Sequence, residues 1–202
     1  MAFLRTLGWL IAIVYSTIPS YWLLVHPLVG IWRARRARLS RVGPLWMLLW
    51  LLVAAVTWPW RHIILYDLLW PWIPAGALFV TGVYLYVRGH HDFTHDQVLG
   101  RSELEPDRHE QRLVAGGIRA RIRHPYYVGH FCELLGWSLG TGLLVNYCLL
   151  AFAVVTGLIM VRAEERELLA RFGDSYRQYL RQVPAFFPKL SAVSSQPSAR
   201  PR

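Results

Sequence analysis

The apolar residues of this chain are gathered into long blocks, and arginine-rich segments separate those blocks from one another. Of the 202 residues, 54% are apolar and only 17% are charged. A bilayer-spanning helix needs about 20 mainly apolar residues, because the lipid satisfies none of its backbone polar groups. The chain is therefore predicted to be all-α and to form a polytopic membrane protein. About five transmembrane helices are expected, at residues 7–29, 44–58, 68–87, 126–145 and 147–161.

The length suits a single domain, which we place at residues 1–190. Residues 191–202 are rich in serine, proline and arginine, and this composition predicts a disordered tail. The first apolar block has no clear small-residue cleavage site, so a retained span is favoured over a signal peptide. Because no targeting extension is visible, a bacterial or archaeal plasma membrane is the expected location. No sequence feature indicates an oligomeric state.

The arginines indicate how the chain is oriented in the membrane. A formal net charge of +10 could point to nucleic acid, but the arginines flank apolar blocks instead of lining a soluble face. We therefore expect the lipid bilayer, and no nucleic acid, as the partner of this charge. Arginine is concentrated after the first span, after the third span and near the C-terminus. The positive-inside rule then places the N-terminus outside and the C-terminus in the cytoplasm.

The last two apolar blocks are separated only by Asn146, which predicts a tight C-terminal helical hairpin. A charged helix over residues 163–182 follows, and it is expected to be amphipathic and cytoplasmic. It could lie on the membrane surface or act as a lid over a site at the cytoplasmic mouth. Its apolar stripe consists of Leu168, Leu169, Phe172, Tyr176, Tyr179, Leu180 and Val183.

The segment RHPYYVGHFCE, residues 123–133, places ionisable groups at the start of a span and inside it. Pro125 suits the first helical turn, and the helix N-terminus there favours an anionic group. Tyr126, His130 and Glu133 share one face, with i, i+4, i+7 spacing. Ionisable groups within a span usually line a functional site. The alternative is a buried His–Glu pair that only ties helices together.

A second charged group, in the segment MVRAEER, ends the last span. The hairpin brings it beside the start of the fourth span, so charges of both signs are expected at one mouth. From the two segments, the residues predicted to be catalytic are Arg162, Glu165, His130 and Glu133.

Two other patterns are weaker. In GHHDFTHD, the spacing of His91 and His95 occurs in helical zinc sites, but no HExxH motif accompanies it, so no metal is expected. The GxxxG spacing of Gly136 and Gly140 is typical of close helix packing. The sequence has no GxGxxG motif after a strand and no P-loop, so a soluble nucleotide-binding fold is unsupported.

The segments RLVAGGIRARIRHPYYVG and EERELLARFGDSYRQYLRQVPAFFP occur in this order with the apolar pair between them. This arrangement resembles the membrane methyltransferases of the isoprenylcysteine carboxyl methyltransferase type, to which phospholipid methyltransferases are related. The resemblance covers about residues 111–188, and it implies that this segment is the catalytic core. Two positions depart from the family pattern, Arg119 where the family has tyrosine and Met160 where it often has an arginine that handles the substrate. The resemblance implies Arg162 as the nearest candidate for that role, although it lies on a different face of the helix.

The resemblance implies S-adenosyl-L-methionine (SAM) as the cofactor, bound at the cytoplasmic face, and a lipidic or prenylated small molecule as the methyl acceptor. If the acceptor is an ammonium group, Glu133, Glu165 or His130 could take its proton. The residues implied to bind the cofactor are Gln111, Arg112, Leu113, Val114, Arg119, His124, Pro125, Tyr126, Tyr127 and Glu164.

Two other functions are kept as alternatives. Membrane sterol and enone reductases have a similar helical core and an R-H-P-N-Y-like motif, but they use NADPH, and Tyr126 stands here where they have asparagine. A non-enzymatic, histidine-rich membrane protein would instead bind metal through His90, His91 and His95.

Overall fold

The computed structural model describes residues 1–34, 42–90 and 112–188, and within these ranges the chain is helical, without β-strands. The one isolated bridge between backbones in this part joins Ile64 to Leu143. The all-α prediction is therefore confirmed. The predicted disordered tail lies outside the described residues. The α-helices are α1 Ala2–Val25, α2 Val29–Ala34, α3 Val42–Thr57, α4 Trp72–His90, α5 Pro125–Thr141, α6 Leu144–Phe172 and α7 Asp174–Gln182.

Three helices in the described part are long and apolar enough to cross a bilayer, and they cover Ala2–Val25, Gly43–Trp60 and Leu144–Phe172. They correspond to the first, second and fifth predicted spans. The helices at the third and fourth predicted spans, α4 and α5, are 19 and 17 residues long. These two helices pack against each other along most of their length.

The core lies where α1 meets α5 and α6. Its residues come from all three helices, because apolar side chains at helical spacing on each of them turn towards the same centre. Helix α3 packs on the outside of α1, where the Trp46 indole donates a hydrogen bond to the Thr17 hydroxyl at 3.0 Å. The fully covered members of the core are Trp9, Ala12, Ile13, Leu134, Leu143, Val145, Leu149 and Ala153.

Glycines let α4 and α5 approach closely. A Cβ atom at Gly82 would lie 2.6 Å from the Glu133 Cγ and 2.9 Å from the Gly129 carbonyl oxygen. A Cβ at Gly136 would lie 2.9 Å from the Phe79 ring. The packing role predicted for this glycine is therefore confirmed, and the close approach carries the polar face of α5 up against α4.

The connection between α5 and α6 differs from the prediction. Helix α5 ends at Thr141, and the chain turns at Gly142, whose φ of +64° is the left-handed conformation that glycine tolerates. Asn146 does not interrupt the helices as expected. It lies in the first turn of α6, and its amide donates a hydrogen bond to the Thr141 hydroxyl at 3.1 Å.

The charged segment after the last apolar block also differs from the prediction. Helix α6 continues through it to Phe172, because no proline or glycine interrupts residues 158–172. The break comes at Gly173, with φ of +57°. Only Asp174–Gln182 forms a separate helix, so the predicted amphipathic helix is two elements.

Candidate active site at the start of helix α5

The backbone just before α5 is held by the C-terminal end of the described chain. Pro125 occupies the first turn of α5, as predicted, and the preceding residues remain outside the helix. The Arg123 N–H donates to the Pro184 carbonyl at 2.9 Å, and the His124 N–H donates to the Ala185 carbonyl at 3.0 Å. We call residues 183–188 the C-terminal strap, and these two bonds fix it across the start of α5.

A cluster of charged side chains joins the start of α5 to the far end of α6. Arg123 donates to the Glu165 carboxylate from Nε at 3.0 Å and from Nη2 at 2.6 Å. The His124 Nε2 lies 3.1 Å from the same Glu165 oxygen, and His124 Nδ1 lies 3.6 Å from Glu164 Oε2. We call Arg123, His124, Glu164 and Glu165 the charged cluster. It brings together three of the predicted site residues.

One oxygen of the charged cluster has unused hydrogen-bonding capacity. The Glu164 Oε2 atom is buried and accepts no hydrogen bond from the residues that the structure describes, because His124 Nδ1, at 3.6 Å, is beyond hydrogen-bond distance. A buried carboxylate oxygen normally has a donor, because leaving it without one costs about 1–3 kcal/mol or more. The side chain of Glu164 is thus suited to receive a donor group from a bound molecule.

Helix α7 and the strap cover the segment that leads into α5. Tyr176, Tyr179 and Val183 are buried, and Leu113, Leu168, Leu169, Phe172 and Leu180 pack against them. The Tyr179 hydroxyl donates to the Arg119 carbonyl at 2.7 Å, and burial raises the pKa of Tyr179 to about 12. The residues of the apolar stripe therefore pack mainly on one another and on Leu113, and the choice between a lid and a helix on the membrane surface stays a prediction.

The Arg119 guanidinium links the covered segment to the ends of α4 and α5. Arg119 is buried, and its Nη1 donates to the Gly89 carbonyl at 3.3 Å. Its guanidinium carbon lies 5.3 Å from the centre of the Tyr126 ring. The Tyr126 hydroxyl lies 3.3 Å from His90 Nδ1. Arg119 and Tyr126 are close in sequence to the charged cluster, but their side chains contact the end of α4.

The remaining residues predicted to bind the cofactor are placed as follows. The Tyr127 ring is stacked 5.6 Å from the His124 ring. Arg112 is exposed and Val114 is half-buried. Gln111 lies outside the described residues.

A second polar group, the buried polar cluster, lies within the helices and consists of Tyr15, Tyr86, His130 and Glu133. The His130 Nδ1 lies 2.9 Å from the Tyr86 hydroxyl, and His130 Nε2 lies 2.7 Å from the Tyr15 carbonyl oxygen. The Tyr15 hydroxyl donates to Glu133 Oε2 at 2.7 Å. The shared face predicted for His130 and Glu133 therefore points towards α1 and α4.

Sequence reasoning did not include Tyr15 and Tyr86 in the site. The available signal was Tyr15 itself, a hydroxyl in the middle of an apolar block, where a polar group requires a partner. The four predicted catalytic residues do not form one group. Glu165 belongs to the charged cluster, whereas His130 lies six residues into α5, about 9 Å along the helix axis from His124. The Arg162 side chain is exposed and has no hydrogen bond or ion pair with the described residues, so its role stays a prediction.

In the described part of the chain, no three histidine, cysteine or acidic side chains are placed to hold a metal ion. His91 and His95, on which the metal alternative depends, lie outside the described residues. That alternative is therefore not tested by the structure.

Comparison with known proteins gives a consistent picture. A family model described as phospholipid methyltransferase matches residues 72–175, just over half of the chain. Protein-S-isoprenylcysteine O-methyltransferase of Schizosaccharomyces pombe is 41% identical over 83 residues, which are 39% of this chain and 34% of that protein. The Homo sapiens protein of the same name is 30% identical over 152 residues, 70% of this chain and 52% of that protein.

Methanethiol S-methyltransferase of Crocosphaera subtropica is 37% identical over 76 residues, 36% of this chain and 28% of that protein. The matched parts thus cover between 28% and 52% of the length of these three relatives. No solved structure matches the chain significantly.

Proposed function

The chain belongs to the phospholipid methyltransferase family, and from that premise we propose that it transfers the methyl group of SAM to a lipidic or prenylated small-molecule acceptor. The observation that carries the proposal is the charged cluster, where Glu164 Oε2 is buried without a hydrogen-bond donor from the described residues. The names of the relatives support methyl transfer as the reaction class.

In this proposal the protein crosses the membrane five times, with α5 and α6 forming a helical hairpin. The direct turn at Gly142 and Leu143 and the contact between Phe131 and Gly157 support the hairpin. The arginine distribution places the charged cluster on the cytoplasmic side, where SAM is available. The N-terminus is then outside, in a bacterial or archaeal plasma membrane.

The charged cluster offers groups that suit SAM. SAM carries an amine, a carboxylate and ribose hydroxyls, and it supplies an electrophilic methyl group when bound. The buried Glu164 oxygen is suited to accept a hydrogen bond from an amine or hydroxyl. The N-terminus of α5 carries a partial positive charge, which favours an anionic group such as the SAM carboxylate. Tyr127 and Phe186, whose rings lie 5.6 Å and 5.9 Å from that of His124, provide apolar surface beside these polar groups.

The protein's contribution to this reaction is alignment, exclusion of water and acceptance of a proton. Helix α7 and the C-terminal strap close the covered segment on the aqueous side, and a dry site strengthens every polar contact within it. An acceptor that loses a proton during transfer needs a base nearby. Glu165 in the charged cluster and Glu133 in the buried polar cluster are the candidates, and Arg162 is the candidate for contact with the acceptor. His130, the third residue predicted for this role, has both ring nitrogens engaged by Tyr86 and Tyr15.

Equilibrium binding of SAM and of NADPH to the detergent-purified protein tests the proposal. Calorimetry should show micromolar SAM binding and no NADPH binding. His124→Ala should abolish SAM binding in a protein that remains folded. The control is His62→Ala, which changes an exposed histidine outside the charged cluster and should leave SAM binding intact. NADPH binding in place of SAM would assign the chain to the reductases. Binding of neither by folded protein would reject the enzymatic proposal.

A further inference from the structure

Helix α1 contains a proline in its interior, Pro19, and this residue removes one backbone donor. In a regular α-helix the N–H of residue 19 would bind the carbonyl of Tyr15. Proline has no N–H, so the Tyr15 carbonyl loses that partner. Within a membrane no water replaces it, so a carbonyl left unsatisfied there is strongly destabilising.

A side chain from another helix reaches this carbonyl. The His130 Nε2 atom, on α5, lies 2.7 Å from the Tyr15 carbonyl oxygen. A carbonyl oxygen only accepts hydrogen bonds, so His130 must carry a proton on Nε2. His130 is buried, with 3% of its surface exposed, which keeps the bond away from competing water.

The other ring nitrogen of His130 is also occupied. Its Nδ1 lies 2.9 Å from the Tyr86 hydroxyl on α4. A charged imidazolium in this apolar setting would be costly, and no carboxylate of the described residues lies within ion-pair distance of it. The neutral ring with a proton on Nε2 therefore accepts from the Tyr86 hydroxyl at Nδ1. Both nitrogens are then saturated, and neither has a lone pair left for a substrate.

We propose that His130 supplies the hydrogen-bond donor that Pro19 removes from α1, and so acts as a positioning residue and not as a proton acceptor. Through this bond α5 holds Tyr15 in place. The Tyr15 ring stacks on the His130 ring, with centres 4.5 Å apart and planes 5° apart. The Tyr15 hydroxyl donates to Glu133 Oε2 at 2.7 Å, so the position of the Glu133 carboxylate depends on His130.

A double-mutant cycle on thermal unfolding in detergent tests the structural part. His130→Ala should lower the unfolding temperature of the wild-type protein. Pro19→Ala returns an N–H to α1 that can bind the Tyr15 carbonyl. In the Pro19→Ala background, His130→Ala should therefore lower the unfolding temperature by less than half as much as it does in the wild-type protein. An equal loss in both backgrounds would reject the proposal. His62→Ala, at an exposed position, should have the same small effect in both backgrounds.

Nitrogen NMR of the full-length wild-type protein with labelled histidine tests the tautomer without relying on a variant that must fold. The His130 signals, assigned by their loss in His130→Gln, should show a protonated Nε2 and an unprotonated Nδ1 at neutral pH. A proton on Nδ1 alone, or on both nitrogens, would overturn the assignment. Glutamine can still donate to the Tyr15 carbonyl, so His130→Gln should recover more than half of the stability lost in His130→Ala.

The consequence for activity rests on the proposed function, and it has its own measurement. His130→Gln should keep SAM affinity within threefold of the wild type and retain more methyl-transfer turnover than Glu133→Gln. Turnover abolished in His130→Gln despite normal stability would show that the imidazole itself is a proton acceptor. If the protein binds no SAM, the proposed function fails, while the cycle and the NMR spectrum still decide the role of His130.

Discussion

The Arg123 Nη2 atom lies 2.6 Å from Glu165 Oε1, and this ion pair joins the residues before α5 to the end of α6 that extends beyond its apolar part. The exposed fractions of the two side chains are 11% and 21%, so water screens the pair only partly. The same guanidinium donates to the Val183 carbonyl in the C-terminal strap. Arg123, together with its neighbour His124, therefore links the start of α5 to α6 and the strap.

Replacing Arg123 by glutamine should destabilise the protein and weaken SAM binding together. Loss of hydrogen bonds to a charged group at a partly buried position should lower the free energy of unfolding by about 1.5–3 kcal/mol. The matched control is Arg177→Gln, which removes an exposed ion pair to Asp174. Exposed pairs contribute about 0–1 kcal/mol, so this control should change little. Denaturant unfolding in detergent gives both values, and equal losses would contradict the prediction.

Replacing Glu164 by glutamine should separate stability from binding. Glu164 Oε2 accepts no hydrogen bond from the described residues, and its ion-pair contact with His124 Nδ1 is long, at 3.6 Å, so the variant without ligand should lose little or no stability. SAM affinity should fall by roughly 10- to 100-fold, the loss expected for a hydrogen bond to a charged group worth about 1.5–3 kcal/mol.

Glu167→Gln is the matched comparison for that variant. Glu167 accepts from Arg171 at 3.1 Å and lies 3.5 Å from His26, so its loss should lower stability and leave SAM affinity unchanged. Thermal unfolding and calorimetry on the two variants would show opposite patterns. A Glu164→Gln variant that loses stability but binds SAM normally would reject the cofactor assignment.

The charged cluster was predictable because its members are local to two motifs. Pro125 marks the start of α5, which puts His124 at that end of the helix. The short interval between the two apolar blocks predicts that α6 returns alongside α5, which would bring Glu164 and Glu165 to that end of the helix. These inferences need only helical spacing, turn chemistry and segment order, all of which are visible in one sequence.

The buried polar cluster was not predictable to the same extent. The Tyr15–Glu133 hydrogen bond joins residues 118 apart in the sequence, and periodicity within one helix does not reveal its partner on another. The role of Pro19 also depends on which helix faces it. The end of α6 was misplaced for a different reason. A change from apolar to charged residues does not end a helix, and α6 ends only where Gly173 adopts a positive φ.

The close approach of α4 and α5 gives a prediction about packing. A Cβ at Gly82 would lie 2.6 Å from the Glu133 Cγ and 2.9 Å from the Gly129 backbone, which cannot move aside easily. Gly82→Ala should therefore destabilise the protein by about 1–3 kcal/mol, the usual cost of overpacking.

The same helix offers a control. A Cβ at Gly76 would meet nothing within 4 Å. Gly76→Ala should be neutral or stabilise by up to about 1 kcal/mol through helix propensity. Thermal unfolding of both variants in one detergent tests the contrast, and a Gly82→Ala variant as stable as Gly76→Ala would show that the helices can separate at little cost.

The burial of the Tyr179 hydroxyl predicts how stability responds to alkaline pH. Burial raises the pKa of Tyr179 to about 12, whereas an unfolded tyrosine titrates near pH 10. The folded protein therefore holds this proton more tightly than the unfolded chain. The resulting stability is fully present below about pH 10 and is lost as the pH rises from about 10 to about 12.

Tyr179→Phe should remove that part of the pH dependence. At pH 7 the variant should be about 0.5–1.5 kcal/mol less stable, because the bond to the Arg119 carbonyl is gone. Between pH 10 and 12 its unfolding free energy should fall by about 1–3 kcal/mol less than that of the wild type. Tyr84→Phe, a change at an exposed position on α4, should keep the wild-type slope. Denaturant unfolding at stepped pH gives the unfolding free energy of all three proteins. Equal pH dependence of the wild type and Tyr179→Phe between pH 10 and 12 would show that folding does not raise the pKa of Tyr179.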